Sequence, residues 1–323
     1  MSVSEPAPIV ARKKLMSRLP DSAALIVFLV AESVYFSVKS PFFMSWDNWL
    51  NIFTAVAVIG VVAAPGTMLM TAGQFDLSVG SVTAFTSVII AYFGVNHGLG
   101  FSLTVAVLAA IGVGVINGFL VTVLEVNALI TTLGTLAAFR GLSNVIADGQ
   151  TVPVDNFSWI GIDRPIANIP VPVILLLLVM LFVWLIMRYT VYGRSMYAIG
   201  SNQSAARLVG VLSKRFIFCG FVLSAAACAL SGVILTSQLG VGSGLFGMGM
   251  ELSVITAIVL GGASLSGGRG SIVGTLVGLV IIGILNNGLT LTGVNPFWQD
   301  VARGTLLIAA VSFDRLRARL LTR

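Results

Sequence analysis

A chain of 323 residues with 57% hydrophobic and only 9% charged side chains has too little polar surface to coat a soluble fold of that size. Its formal charge of +6 is not spread as a nucleic-acid interface would need; basic residues sit near the two termini and in one central stretch, so the implied partner is a lipid membrane and no nucleic acid is expected. Uncharged runs at 48–75, 77–124 (with His97 neutral), 165–187, 216–250 and 270–299 are each long enough to cross a bilayer, some of them twice.

These runs exceed the length of a membrane strand and do not alternate, so the expected class is all-α: a polytopic transmembrane helical bundle of about ten spans. A basic tail over 1–20 precedes a membrane domain over 21–313, and a basic tail over 314–323 follows it. The first span, 21–38, carries Glu32 without an obvious partner and lacks the small-residue cleavage pattern of a removable signal. Spans 50–70 and 75–93 follow, with Pro65-Gly66 and Ala72-Gly73 interrupting the helical reading. Span 100–121 holds Gly114 and Gly118 on one face, a spacing that lets helix backbones approach closely. Spans 128–146 and 169–187 lead to a polar, basic stretch over 188–214. Span 215–236 contains Cys219 and Cys228, read as small apolar packing groups and not as a metal site or disulfide. A glycine-rich interruption from Gly240 to Gly249 precedes spans 250–265, 271–291 and 296–313; Gly274 and Gly278 repeat the close-packing spacing.

An even span count puts both termini on one side, with Arg12, Lys13, Lys14, Arg18, Arg188, Arg194, Arg207, Lys214, Arg215, Arg269, Arg315, Arg317, Arg319 and Arg323. The other side holds little beyond Lys39, Arg164 and four aspartates, together with Trp46, Trp49, Trp159 and Trp298 as an interfacial belt. The positive side is read as the cytoplasm, giving a multi-pass protein with both termini cytoplasmic.

The chain also echoes itself. Asp76-Leu-Ser-Val is followed by Asn117-Gly118, Val126-Asn127 and Arg140-Gly141; Glu251-Leu-Ser-Val is followed by Asn287-Gly288, Val294-Asn295 and Arg303-Gly304. Because the copies are offset by five spans, they are expected to be inverted across the membrane, an arrangement suited to a path that opens alternately to either side.

Polar residues in the spans are the candidate site. Asp76 and Glu251 either cap free helix amides, touch a solute or relay a proton, since an isolated carboxylate in hydrocarbon is costly. Gln74 and Phe75 share the Gly73 to Gly80 segment with Asp76. Asn117, Asn127, Thr131, Asn286 and Asn287 offer neutral donors and acceptors suited either to a hydroxylated solute or to hydrogen bonds between helices. In the basic stretch, Gly200 ends one element and Ser201 or Asn202 caps a short helix through Ala205, Ala206 and Arg207 to Gly210, too short to span and placed for docking to a partner. None of the four lysines follows a glycine, so no phosphate-binding loop is present, and the single histidine, His97, leaves no metal cluster; no cofactor is expected on this chain.

Four segments in order, Gly73 to Ser81, Gly118 to Thr135, Gly200 to Gly210 and Glu251 to Gly270, resemble the permease subunits of bacterial ABC importers for ribose, xylose, arabinose and related sugars. The resemblance covers 45–312. It implies a non-enzymatic transport subunit of the cytoplasmic (inner) membrane that passes a monosaccharide or polyol inward by alternating access, with 188–214 as the coupling region. The implied partners are a second permease copy or paralogue, cytoplasmic subunits that bind and hydrolyse ATP-Mg, and a periplasmic or tethered sugar-binding protein. Permeases of the same type for nucleosides or amino acids fit these motifs less well, and an ion-coupled secondary transporter is the remaining alternative. The resemblance leaves the identity of the sugar open.

Overall fold

The computed structural model describes residues 21–321; the basic residues of 1–20 and the end of the 314–323 tail lie outside the described residues. In chain order the helices are α1 (Asp21–Lys39), α2 (Trp46–Thr71), α3 (Val79–His97), α4 (Leu99–Thr122), α5 (Ala128–Ile146), α6 (Trp159–Ile162), α7 (Val171–Tyr189), α8 (Val191–Ser201), α9 (Gln203–Leu208), α10 (Ser213–Leu239), α11 (Met250–Leu260), α12 (Ile272–Leu291) and α13 (Pro296–Leu321). Two short strands, β1 (Val152–Pro153) and β2 (Val241–Gly242), pair antiparallel with Val152 opposite Gly242.

Every predicted span overlaps a helix, but among the described residues only α2, α3, α4, α5, α7, α10 and α12 are long and apolar enough to cross a membrane. The predicted eighth span is α11, with 11 residues, and its helix stops at Leu260 because the Gly261-Gly262 turn follows. Nor does Pro65 break α2. The helix continues to Thr71, and the interruption falls at Gly73, whose φ of +74° ends it. At its far end α13 carries the chain past 313 to Leu321.

α10 lies at the centre, touching α2, α3, α4, α6 and α8. The first thirteen residues of α3, Val79 to Ala91, are all buried. Such helices are apolar all round because protein surrounds them, whereas α4, α5 and α7 present Leu108, Leu133 and Leu177 to the outside, where lipid replaces protein.

Directions follow from the contacts. α2 and α12 run antiparallel, with Thr67 against Thr275 near one end and Asn48 against Asn287 near the other. α10 is antiparallel to α2, since Ser231 donates to the Val58 carbonyl while Gly220 meets Leu69. α3 lies parallel to α10, Thr83 reaching Cys228 and Thr86 packing on Gly232. α11 is antiparallel to α12, with Gly261 on Gly274 and Ala257 on Gly278. Helices α3 and α11 therefore point in opposite directions, and their N-terminal ends meet inside the bundle where Gly80 lies against Gly247. A Cβ on Gly80 would overlap the Gly247 carbonyl.

The repeated sequence elements thus open two oppositely directed helices. Asn127 and Asn295 further match, each accepting backbone amides at the start of the following helix, α5 and α13. The other echoes diverge: Asn117 bonds Ser78, but Asn287 pairs with Asn48.

One end of the bundle gathers Arg188, Arg194, Arg207, Lys214, Arg215 and Arg269 on or beside α7 to α10 and the α11–α12 turn, and is called the basic end below. At the opposite end Arg164 sits 3.9 Å from Asp47, and the β1–β2 pair ties the segment after α5 to the segment after α10.

Close glycine packing is testable on a single helix. A Cβ on Gly114 would run into Ala225 and the Phe221 carbonyl on α10, whereas one on Gly112 would meet nothing within 4 Å. Gly114→Val should lower the melting temperature in detergent, by roughly 1–3 kcal/mol of overpacking, while Gly112→Val leaves it nearly unchanged. Equal melting of the two variants would contradict the α4–α10 contact.

Candidate translocation and coupling site

Between α2 and α3 the chain is extended for a few residues, and its polar groups find partners inside the protein. Gln74 N–H donates to the Leu69 carbonyl (2.9 Å). One Asp76 carboxylate oxygen accepts from the Ser78 amide (3.0 Å) and hydroxyl (2.6 Å), and the other accepts from Ser224 of α10 (2.7 Å). Asn117 of α4 donates to the Ser78 hydroxyl (3.0 Å). Asp76 thus braces the turn just ahead of α3 and ties it to α10, while Asn117 ties it to α4.

Glu251 behaves differently. It lies in the first turn of α11 but caps nothing; α11 starts from Gly249 in the left-handed region (φ +71°), and Glu251 Oε2 is buried without a hydrogen-bond partner beside Gly80. Of the roles open to the two carboxylates, Asp76 makes a capping contact, through the amide immediately before α3, and Glu251 makes none. The glycine turn brings Gly247 against α3, and the Glu251 side chain lies there too, beside Gly80, with no side-chain cap at the start of α11.

The glycine turn before α11 is held by a residue that the sequence marked only as part of an echo. Arg140 of α5 donates to the carbonyls of Gly244, Phe246 and Gly247 (3.3 Å for the last) and lies within electrostatic reach of Glu251. Its signal was available: it is the only charge in the span 128–146. Its echo partner Arg303 pairs instead with Asp300 at 3.3 Å. Ser87 of α3 adds a second tie, exchanging hydrogen bonds with Ser243 (3.3 Å).

Toward the basic end, Gln74, Phe75, Asn127, Gln203, Arg207 and Lys214 line a cavity of about 330 Å³. Glu125 on its rim has a φ of +58° and pairs with Lys214; the ammonium beside it holds its carboxyl below the usual carboxylate range. The other predicted residues are elsewhere. Thr131, one turn after Asn127, is buried with an unpartnered hydroxyl, Asn286 Oδ1 on α12 is likewise buried and unpartnered, and Asn287 forms a reciprocal amide pair with Asn48 at the far end. Both Glu32 oxygens are buried and unpartnered on α1.

The basic stretch folds as two helices. Gly200 lies in α8, which ends at Ser201; Asn202 accepts from the Ala205 amide (3.0 Å) to cap α9, and Gly210 (φ +84°) follows its end. α8 is fastened to the bundle: Tyr192 donates to the Phe216 carbonyl (3.0 Å), Tyr197 to the Gly270 carbonyl (2.7 Å), and Gly200 packs on the Thr71 carbonyl and the Gly268 amide. Burial raises both phenols above the usual tyrosine range, so they stay neutral donors at physiological pH. α9 stands off, with Ala206 buried but Leu208 and Val209, 90% and 80% exposed, presenting apolar side chains at a charged end. Among the described residues no group of three metal-ligating side chains occurs.

Residues 48–311, which carry both meeting helices and the basic-end helices α8 and α9, match a family model described as branched-chain amino acid transport system / permease component. The chain belongs to this family of permeases. Among curated relatives, the ribose import permease protein RbsC of Bacillus subtilis (strain 168) is 39% identical over 310 residues, covering 94% of each chain. The L-arabinose transport system permease protein AraH of Escherichia coli (strain K12) is 35% identical over 313 residues, 94% of this permease and 93% of the relative. The probable ABC transporter permease protein YphD of Escherichia coli (strain K12) is 35% identical over 311 residues, 94% and 92%. No solved structure matches the chain.

Replacing Arg140 by alanine strands three carbonyls inside the bundle. Arg140→Ala should destabilise the purified permease by roughly 2–4 kcal/mol, and Arg140→Lys by less, read as loss of monodisperse protein on heating. An unchanged melting profile for the alanine variant would show that other groups hold the turn.

Proposed function

We propose that this permease is the membrane subunit of an ATP-driven importer for a monosaccharide or related polyol. The observation that carries the reading is similarity over more than nine-tenths of both chains to permeases named for ribose and arabinose. The wider family is described by branched-chain amino acid transport, so an amino-acid substrate is the second reading. The protein sits in the bacterial cytoplasmic membrane with the basic end and both termini in the cytoplasm. It catalyses no covalent step and binds no cofactor; ATP-Mg is held by separate ATPase subunits, a sugar-binding protein delivers the solute from outside, and a second copy or paralogue completes the path.

The proposed coupling surface is α9 with Arg207, Leu208 and Val209, which dock on the ATPase. Its neighbour α8 passes motion on through the Tyr192 and Tyr197 hydrogen bonds to α10 and to the α11–α12 turn, and through Gly200 to the end of α2. Those are the elements that flank the broken helices, so ATP-driven movement at the basic end reaches the α3–α11 meeting point along rigid connections. Gln74, Phe75 and Asn127 line the cavity beside α9, which supports assigning them contact with solute leaving toward the cytoplasm.

Mild-detergent purification from native membranes, followed by reconstitution with the chains that come with it, tests this directly. A nucleotide-binding ATPase should co-purify, and vesicles containing the complex should accumulate a pentose or hexose only with ATP and binding protein. Uptake driven by a proton or sodium gradient without ATPase would overturn the assignment. Arg207→Ala should lower ATP-dependent uptake by roughly fivefold or more at unchanged membrane abundance, as expected for an arginine anchor at an interface; normal uptake would remove Arg207 from the docking surface.

A further inference from the structure

A second cavity, of about 450 Å³, opens on the side of the bundle at the basic end, lined by Thr122, Val123, Lys214, Arg215, Phe218 and Cys219. It lies between the last turn of α4 and the first turns of α10. Its shape has a sequence cause: Gly118 has no side chain, and the Phe218 ring lies against its Cα where a Cβ would stand only 2.8 Å from the ring. The ring tilts onto α4, leaving a groove between Val123, 55% exposed, and the exposed Cys219. The walls are apolar and face the surroundings of the bundle, while the two cations stand at the basic end of the groove. Lys214 is paired with Glu125, whereas the Arg215 side chain has no ion pair or hydrogen bond among the described residues, so the mouth keeps a net positive charge.

We infer that this groove is a binding site for an anionic phospholipid of the leaflet at the basic end, with an acyl chain along Val123, Phe218 and Cys219 and the phosphate at Arg215. The choice of an anionic lipid follows from charge complementarity and position. An apolar channel at the side of a membrane protein is filled by lipid chains, and a basic pocket at headgroup depth selects anionic headgroups. A zwitterionic lipid fills the same walls but gains less from Arg215. A second copy of the permease is the competing occupant, and it would close the groove to lipid altogether. The site adjoins Lys214 and the Glu125 turn, which also border the cavity beside α9, so a bound anionic lipid touches the elements next to the coupling segment.

The chain carries its own reporter. Cys219 lines the groove and is exposed, whereas Cys228 is buried, so a thiol-reactive bimane labels Cys219 selectively. The labelled permease, in the complex as purified and after transfer to nanodiscs, is titrated with brominated phosphatidylglycerol or brominated phosphatidylcholine, and bimane quenching is followed. Half-quenching should need about fivefold less of the anionic lipid than of the zwitterionic one, as expected for one cation near the membrane surface. Arg215→Gln should bring that ratio close to one while leaving quenching by phosphatidylcholine unchanged, and Cys228→Ser should alter neither. Equal quenching by both lipids in the unaltered protein would overturn the headgroup preference. No quenching by either would show that the groove is covered by protein and overturn lipid binding there. Because the readout is fluorescence in the assembled protein, its outcome does not depend on which solute is transported.

Discussion

The structure depends on one constraint: a backbone that leaves helical conformation within a membrane has no water to satisfy its N–H and C=O groups, so the protein must supply the partners. The chain leaves helix twice in the interior, over 72–77 and 240–249, and each departure is met by side chains placed for it. Asp76, Ser78, Ser224 and Asn117 serve the first; Arg140 and Ser87 serve the second. These partners come from α3, α4, α5 and α10, so neither break is stable without most of the bundle around it. The cost of interrupting a helix is thus offset by tying four others together.

Small residues make the same geometry sterically possible. Gly80 and Gly247 touch through their backbones, Gly261 meets Gly274, and Gly200 lies on Thr71 and Gly268. In hydrocarbon there is little hydrophobic gain from helix association, so close contact of backbones and a few buried hydrogen bonds carry the specificity. The result is a stack from the basic end inward: α8 on the end of α2, the extended 72–77 segment beyond it, then the meeting of α3 with α11. Motion at one level has few soft places in which to dissipate before it reaches the next.

Much of this was legible in the residues. Uncharged runs located the helices, Asn202 and Gly210 bounded α9, and the Asp76 and Glu251 motifs marked the two helices that meet. Pro65 misled because a proline inside a membrane helix can be accommodated when neighbours and Ser/Thr side chains compensate, whereas a glycine with positive φ ends the helix outright. The role of Arg140 was not legible, since its partners are carbonyl groups more than a hundred residues away and carbonyls carry no sequence signature. Asn286 and Asn287 read alike in the sequence, yet Asn287 pairs with Asn48 and Asn286 Oδ1 is buried without a partner; period and composition fix a face but not its partner. Asn48, the partner of Asn287, looks in the sequence like an ordinary start of a span.

That amide pair bears on how the permease is made. Asn48 enters the membrane with the second helix, while its partner lies 239 residues later. At ribosomal speeds of about 5–20 residues per second the interval is roughly ten to fifty seconds. During it the early helices must keep an unpaired carboxamide out of lipid by staying close to one another. A nascent chain that stops before α12 can never complete the pair. The contact that closes α2 onto α12 is therefore one of the late events in building the bundle, and the helices made before it must fold without it.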